Sequence, residues 1–183
     1  MKKKIFFQVY LVIFLVLPVL GQQGKTGGRS VKPDVSAKSF GLFENDEPLE
    51  ISLRFDMKTY ENVKPTEDYL NAEITFHLSK TDSIDRNIRL RTRGIFRNKE
   101  CFFAPIELNF KKAKFGYSDL DRISKLKMVP QCQLAGEDEK YLLKEYLIYK
   151  LFNVFTDTSF RVRLLRINYI DTERKRKPIR QYA

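Results

Sequence analysis

A chain of 183 residues is long enough for one domain with a substantial core. Hydrophobic residues at 43% and aromatics at 13% exclude a disordered chain. The net charge of +11, with a pI near 9.6, admits nucleic acid, anionic lipid, phosphate ligands or an anionic cell-surface polymer as partners and does not choose among them.

The N-terminus narrows that list. Met1-Lys2-Lys3-Lys4 is basic, Ile5 to Leu20 is an apolar run broken by Gln8, and Gly21-Gln22 follows. This is the pattern of a cleaved secretory signal, with an uncleaved anchor or a buried helix as the alternatives. The run is shorter than the ~20 residues of a membrane span, so the mature chain is expected to carry no transmembrane helix. No cysteine follows the run to take a lipid. The expected location is secreted, periplasmic or cell-envelope. Export disfavours nucleic acid as a partner and favours a disulfide between Cys101 and Cys132 over two buried thiols.

Residues 1–21 thus read as a signal peptide and 22–39 as a flexible leader rich in Gly, Ser, Lys and Gln. A single α+β domain is expected over 40–183. Leu49 to Asp56 alternates, with Leu49, Ile51, Leu53 and Phe55 on one face of a half-buried strand. Lys58 to Asp68, with Pro65, reads as a loop. Tyr69 to Leu78 alternates again and sets the single histidine, His77, on the polar face, with no second histidine or carboxylate pair at metal-ligand spacing; no metal site is expected.

Ser79 to Asp85 reads as a connector. Beyond it Ile88, Leu90 and Thr92 point one way and Arg89, Arg91 and Arg93 the other, up to a break at Gly94. Three arginines on one strand face either hold phosphate or carboxylate bidentately or form a solvated basic surface. Pro105 opens a further strand, with Ile106, Leu108 and Phe110 in and Glu107 and Asn109 out; Lys111, Lys112 and Lys114 follow in a basic loop. Asp119 to Ile123 reads as one helical turn and Lys125 to Val129 as a short strand stopped by Pro130.

Glu139 to Phe155 is the clearest element. Acids precede it, and Leu143, Tyr146, Leu147, Lys150, Leu151 and Val154 recur at three- and four-residue steps, which reads as a helix packed on the core. Phe160 to Asp171 reads as a strand whose alternation slips near Leu164 and Leu165, by a bulge or by burial on both faces. Pro178 to Ala183 opens a last strand, expected either at a sheet edge or at a truncated end. The fold class is therefore α+β: a mostly antiparallel sheet with one main packed helix.

The order of these elements resembles the N-terminal half of the spore-coat CotH kinase family, in an exported and uncharacterised bacterial branch. The likeness covers about Ile88 to Tyr182 and rests on Arg91-Thr-Arg-Gly94, the strand ending in the lysine loop, Lys125-Leu-Lys-Met128 and the helix segment Tyr141-Leu-Leu-Lys-Glu-Tyr-Leu147. It implies part of an atypical protein-kinase-like fold and, for active members, ATP with Mg or Mn for protein phosphorylation. The chain departs from that pattern. Ala104-Pro105 carries no lysine where the family has a lysine-bearing strand, and Glu145 falls near a position often basic there. The family's metal-binding aspartates lie downstream of the matched part.

No phosphate-binding glycine loop, nucleophile elbow, histidine triad or acid/base carboxylate pair is visible. The expected function is an exported binding or structural protein, without a complete catalytic site in this chain and with no certain cofactor. Its partner is expected to be an anionic surface polymer, a lipid or an envelope protein. The alternative is a CotH-like ATP-dependent protein kinase whose catalytic C-terminal half is missing. In that case Arg91, Arg93 and the Lys111–Lys114 loop approach the nucleotide phosphates.

Overall fold

Alternation of apolar residues along most strands builds a seven-stranded sheet with one apolar, buried face. The computed structural model describes residues 38–134 and 138–183. The expected signal peptide lies outside the described residues, as do the leader up to residue 37 and Gly136 and Glu137. The strands are β1 (Leu49–Phe55), β2 (Leu70–His77), β3 (Ser83–Thr92), β4 (Ile106–Asn109), β5 (Lys125–Met128), β6 (Leu165–Asp171) and β7 (Ile179–Tyr182). Their order is β5-β4-β3-β2-β1-β6-β7. The first five form an antiparallel meander. β6 then lies parallel to β1, Leu49 beside Leu165 and Phe55 beside Asp171, and β7 returns antiparallel. A parallel neighbour needs a long crossover, and the stretch between β5 and β6, with its helix, supplies it. The fold class is α+β with a mostly antiparallel sheet, curled into a half-barrel.

The slipped phase after Phe160 resolves simply. Residues 160–164 are not strand, β6 begins at Leu165, and Leu165, Ile167 and Tyr169 face the core. The last strand does lie at a sheet edge.

The curl brings the two edges of the sheet together. Past β5, the Gln131 N–H donates to the Tyr182 carbonyl on β7 (3.4 Å), and the Gln181 side chain donates to the Gln133 carbonyl (2.9 Å). Cys132 lies between these contacts, and its sulfur is 2.14 Å from that of Cys101, a bonded pair. Cys101 caps helix α2 (Ile95–Glu100), which Gly94 admits by taking φ of 92°. The disulfide therefore anchors the segment that joins one sheet edge to the other.

The buried face is covered largely by rings. Phe103 stacks on Tyr169 at 4.0 Å. Tyr60 and Phe55 pack beside them, and Phe76, Phe110 and Phe115 form a second group. Phe40 joins that second group, held by the Asp119 carboxylate, which accepts from the N–H groups of Phe40 (2.7 Å) and Gly41 (2.8 Å). Two expectations need correction. The stretch from Lys58 to Asp68 is not all loop: its first part belongs to helix α1 (Met57–Val63), which buries Met57 and Tyr60 and starts at Asp56, whose carboxylate accepts from the N–H groups of Lys58 and Thr59. Pro65 obscured this helix but falls just beyond its end.

The long helix, α3 (Asp138–Phe155), also departs from expectation. It forms as expected, yet none of its residues is buried. Leu142, Leu143, Tyr146 and Tyr149 are half-covered, while Leu147, Leu151 and Val154, read as core, face solvent. The physical reason is that the sheet's apolar face is already filled by α1 and by the rings of residues 103–117, which leaves α3 at the side of the domain. Periodicity reports that a helix has an apolar stripe, not where its partner is.

Candidate functional site

The other face of the sheet is polar, and its charges are not evenly spread. Toward β1, β2 and β6 they pair off: Arg54 with Glu73 (3.5 Å) and Arg166 with Glu50 (2.8 Å). Toward β3, β4 and β5 the balance is positive. Alternation places Arg89 and Arg91 of β3 and Lys125 and Lys127 of β5 on this face, with Glu107 of β4 between them. The register sets Arg91 directly opposite Glu107, and Glu107 opposite Lys127.

Glu107 is the hub of this patch. Its Oε1 accepts from Arg91 Nε at 3.1 Å, from Lys125 Nζ at 3.0 Å, and from the Tyr69 hydroxyl in a short hydrogen bond. The residue is buried beneath these partners. Burial alone opposes ionisation, but the hydrogen bonds from Tyr69, Lys125 and Arg91 outweigh it and hold the carboxyl at about 2. The same carboxylate, and then Tyr69, lift the Lys125 ammonium above its ordinary value. Glu107 is therefore a fixed anion that organises two cations.

Tyr69, which precedes β2, completes the platform. The guanidinium of Arg89 lies 5.0 Å from its ring centroid and that of Arg91 lies 4.9 Å away. Arg91 has a carboxylate partner; Arg89 has only the ring among the described residues. Its donors thus face solvent on a rigid strand, oriented but not neutralised. This is the arrangement that binds an anion bidentately.

The remaining expected site residues are distributed differently. Arg93 follows β3, where its N–H donates to the Pro105 carbonyl (2.8 Å) and its side chain is half-buried. Lys111, Lys112 and Lys114 leave β4 at the opposite end of β3, where the Lys114 carbonyl accepts from Arg86. Arg93 and the lysine loop flank the two ends of one strand, about 20 Å apart at the strand rise, so one phosphate group cannot span them. The structure joins Arg89 and Arg91 instead with Tyr69, Glu107, Lys125 and Lys127. Sequence reasoning placed Glu107 on the outward side but had no means of pairing it, because the signal lies in the β3–β4 register.

His77 hydrogen-bonds Ser52 (2.8 Å) across β1 and β2 and borders a 320 Å³ cleft with Lys38, Tyr117 and Arg163. Among the described residues no group of three or more His, Cys, Asp or Glu stands placed to hold a metal ion. Nor is any described helix long and apolar enough to cross a membrane.

Comparison of the chain with family models, with curated proteins and with solved structures found no match.

Proposed function

We propose that this chain is an exported bacterial binding protein that holds an anionic ligand on the polar face of β3, β4 and β5. The observation that carries this reading is Arg89: a strand-borne guanidinium seated on Tyr69, beside an Arg91 fixed by Glu107, with no carboxylate of its own among the described residues. The cations are held in place before a ligand arrives, which lowers the ordering cost of binding. The Tyr69 ring is already committed to two guanidiniums, so recognition by charge is favoured over stacking of a base. The leader pattern and the bonded cysteine pair support an extracytoplasmic setting. Together these favour a carboxylated, sulfated or phosphorylated cell-surface polymer as the ligand class.

The test is thermal stabilisation by pyrophosphate and by an anionic polysaccharide, in wild type and in Arg89→Ala. Ligand at about 100 times its Kd should add ~2.7 kcal/mol, and the gain should shrink at high salt. Arg89→Ala should weaken binding roughly 10-fold or more while leaving the unliganded melt unchanged. Equal binding by the variant would assign the patch to solvated surface. Stabilisation by ATP that requires Mg or Mn and ignores Arg89 would move the assignment to the CotH-like phosphotransferase.

A further inference from the structure

The outward face of α3 is apolar in an ordered way. Tyr141, Ile148 and Phe155 recur every seven residues, each more than half exposed. Leu147, Leu151, Phe152 and Val154 flank that line and are exposed to the same degree. A seam of this period is what a second helix packs against, knobs into holes. The geometry points to a homodimer formed by two copies of α3 lying antiparallel about a two-fold axis near Ile148.

Area, charge and direction each favour a second copy. An aromatic side chain presents ~150–250 Å². With three rings and four aliphatic residues more than half bare, the face holds on the order of 800 Å², above the ~300–600 Å² patch of a typical monomer and equal to what one partner contributes to a standard interface. The chain as a whole is +11, which opposes self-association. α3 carries none of that excess: Asp138, Glu139 and Glu145 balance Lys140, Lys144 and Lys150, so two copies meet here without net repulsion.

Direction follows from Lys144, which sits on the exposed side with its ammonium 5.8 Å from the Tyr141 ring centroid. A parallel, in-register pair would set Lys144 against Lys144. An antiparallel pair centred on Ile148 sets Lys144 against Phe152, where a cation on a ring is favourable, and Tyr141 against Phe155. The inward face, with Tyr146, Tyr149 and Lys150, stays on its own domain, where Lys150 is paired with Asp46.

Sedimentation equilibrium on the full chain, in wild type and in Ile148→Glu with Leu151→Glu, tests this. Both positions are exposed, so the far-UV spectrum and the melt should not change. Both proteins carry the same apolar run over residues 5–20, so the difference between them reads α3 alone. Wild type should dimerise and the double variant should self-associate roughly 100-fold more weakly. A second variant, Tyr141→Cys with Phe155→Cys, should cross-link between copies under mild oxidation through the 141–155 pair. A wild-type monomer at all concentrations would overturn the proposal. So would association unaffected by the two glutamates, binding of wild type alone to phosphatidylcholine vesicles in place of dimerisation, or cross-linking of 141 only to 141.

Discussion

Arg91 and Glu107 face each other across β3 and β4, with Nε 3.1 Å from Oε1, and this pair sits beneath the proposed ligand platform. Glu107 is buried and Arg91 is about one-third exposed, so the carboxylate depends more on the pair than the guanidinium does. Removing the cation leaves a buried anion with Lys125 and Tyr69 as its remaining partners. Arg91→Ala should therefore cost about 1–2 kcal/mol, below the range for a fully buried pair. Arg89→Ala leaves no buried charge unpaired and should stay within about 0.5 kcal/mol of wild type. Urea melts of the two variants separate these roles; equal losses would mean that Arg91 contributes nothing beyond its surface position.

The same carboxylate predicts how stability depends on pH. Glu107 is held at about 2, below its ordinary 4.5, so its folded-state affinity for protons is depressed. The stability it contributes is fully present above ~4.5 and is lost as pH falls toward ~2. That loss should be on the order of 3 kcal/mol at most. Glu107→Gln should be less stable than wild type at neutral pH, and its stability should fall less between pH ~4.5 and ~2. Urea midpoints measured across that window, with parallel curves for the two proteins, would show that the carboxylate is not the linked group.

Much of the sheet was legible because a half-buried strand states its inward face in every second residue. Leu49 to Phe55 and Leu70 to His77 are read correctly from that alone. The pairing of β6 with β1, and the closeness of β7 to the segment around Cys132, come from long-range register that no local pattern carries. The site divides along the same line. Arg89 and Arg91 were visible as one strand face, while their relation to Tyr69, Glu107 and Lys125 needed three strands aligned. α3 marks the limit of pattern reading: its apolar stripe is real, but the rings of a loop took the core position that the stripe was assigned. α1 was hidden for a different reason, since seven residues show too little periodicity and the Asp56 cap was the only strong signal.

The bonded cysteines close a loop between residues 31 apart in sequence, which should contribute ~3 kcal/mol through the unfolded chain. Their position adds a local consequence, since Cys132 lies between the two contacts that join the segment after β5 to β7. Cys101→Ser with Cys132→Ser should lower the melting temperature by roughly 6–12 °C. Amide exchange should quicken first at Gln131 and in β7, ahead of β1 and β2. Uniform loss of protection across the sheet would mean that the bridge acts only on the unfolded state.

Tyr169 carries the opposite kind of prediction. Its ring is fully enclosed, stacked on Phe103, and its hydroxyl is buried without a hydrogen-bond partner among the described residues. Burial drives its ionisation far above the ordinary range, with the nearby Tyr60 adding to the effect. The Tyr60 hydroxyl is occupied differently, accepting from the Ala104 N–H at 3.1 Å. An orphaned hydroxyl in a core costs about 1–3 kcal/mol, and deleting it keeps the ring and its packing. Tyr169→Phe should therefore stabilise the domain by about 1 kcal/mol, whereas Tyr60→Phe should destabilise it by a similar amount by freeing the Ala104 amide. The two variants remove the same atom from neighbouring rings, so their opposite signs in a urea melt isolate hydrogen bonding from packing; a loss of stability in Tyr169→Phe would show that its hydroxyl has a partner, such as a buried water.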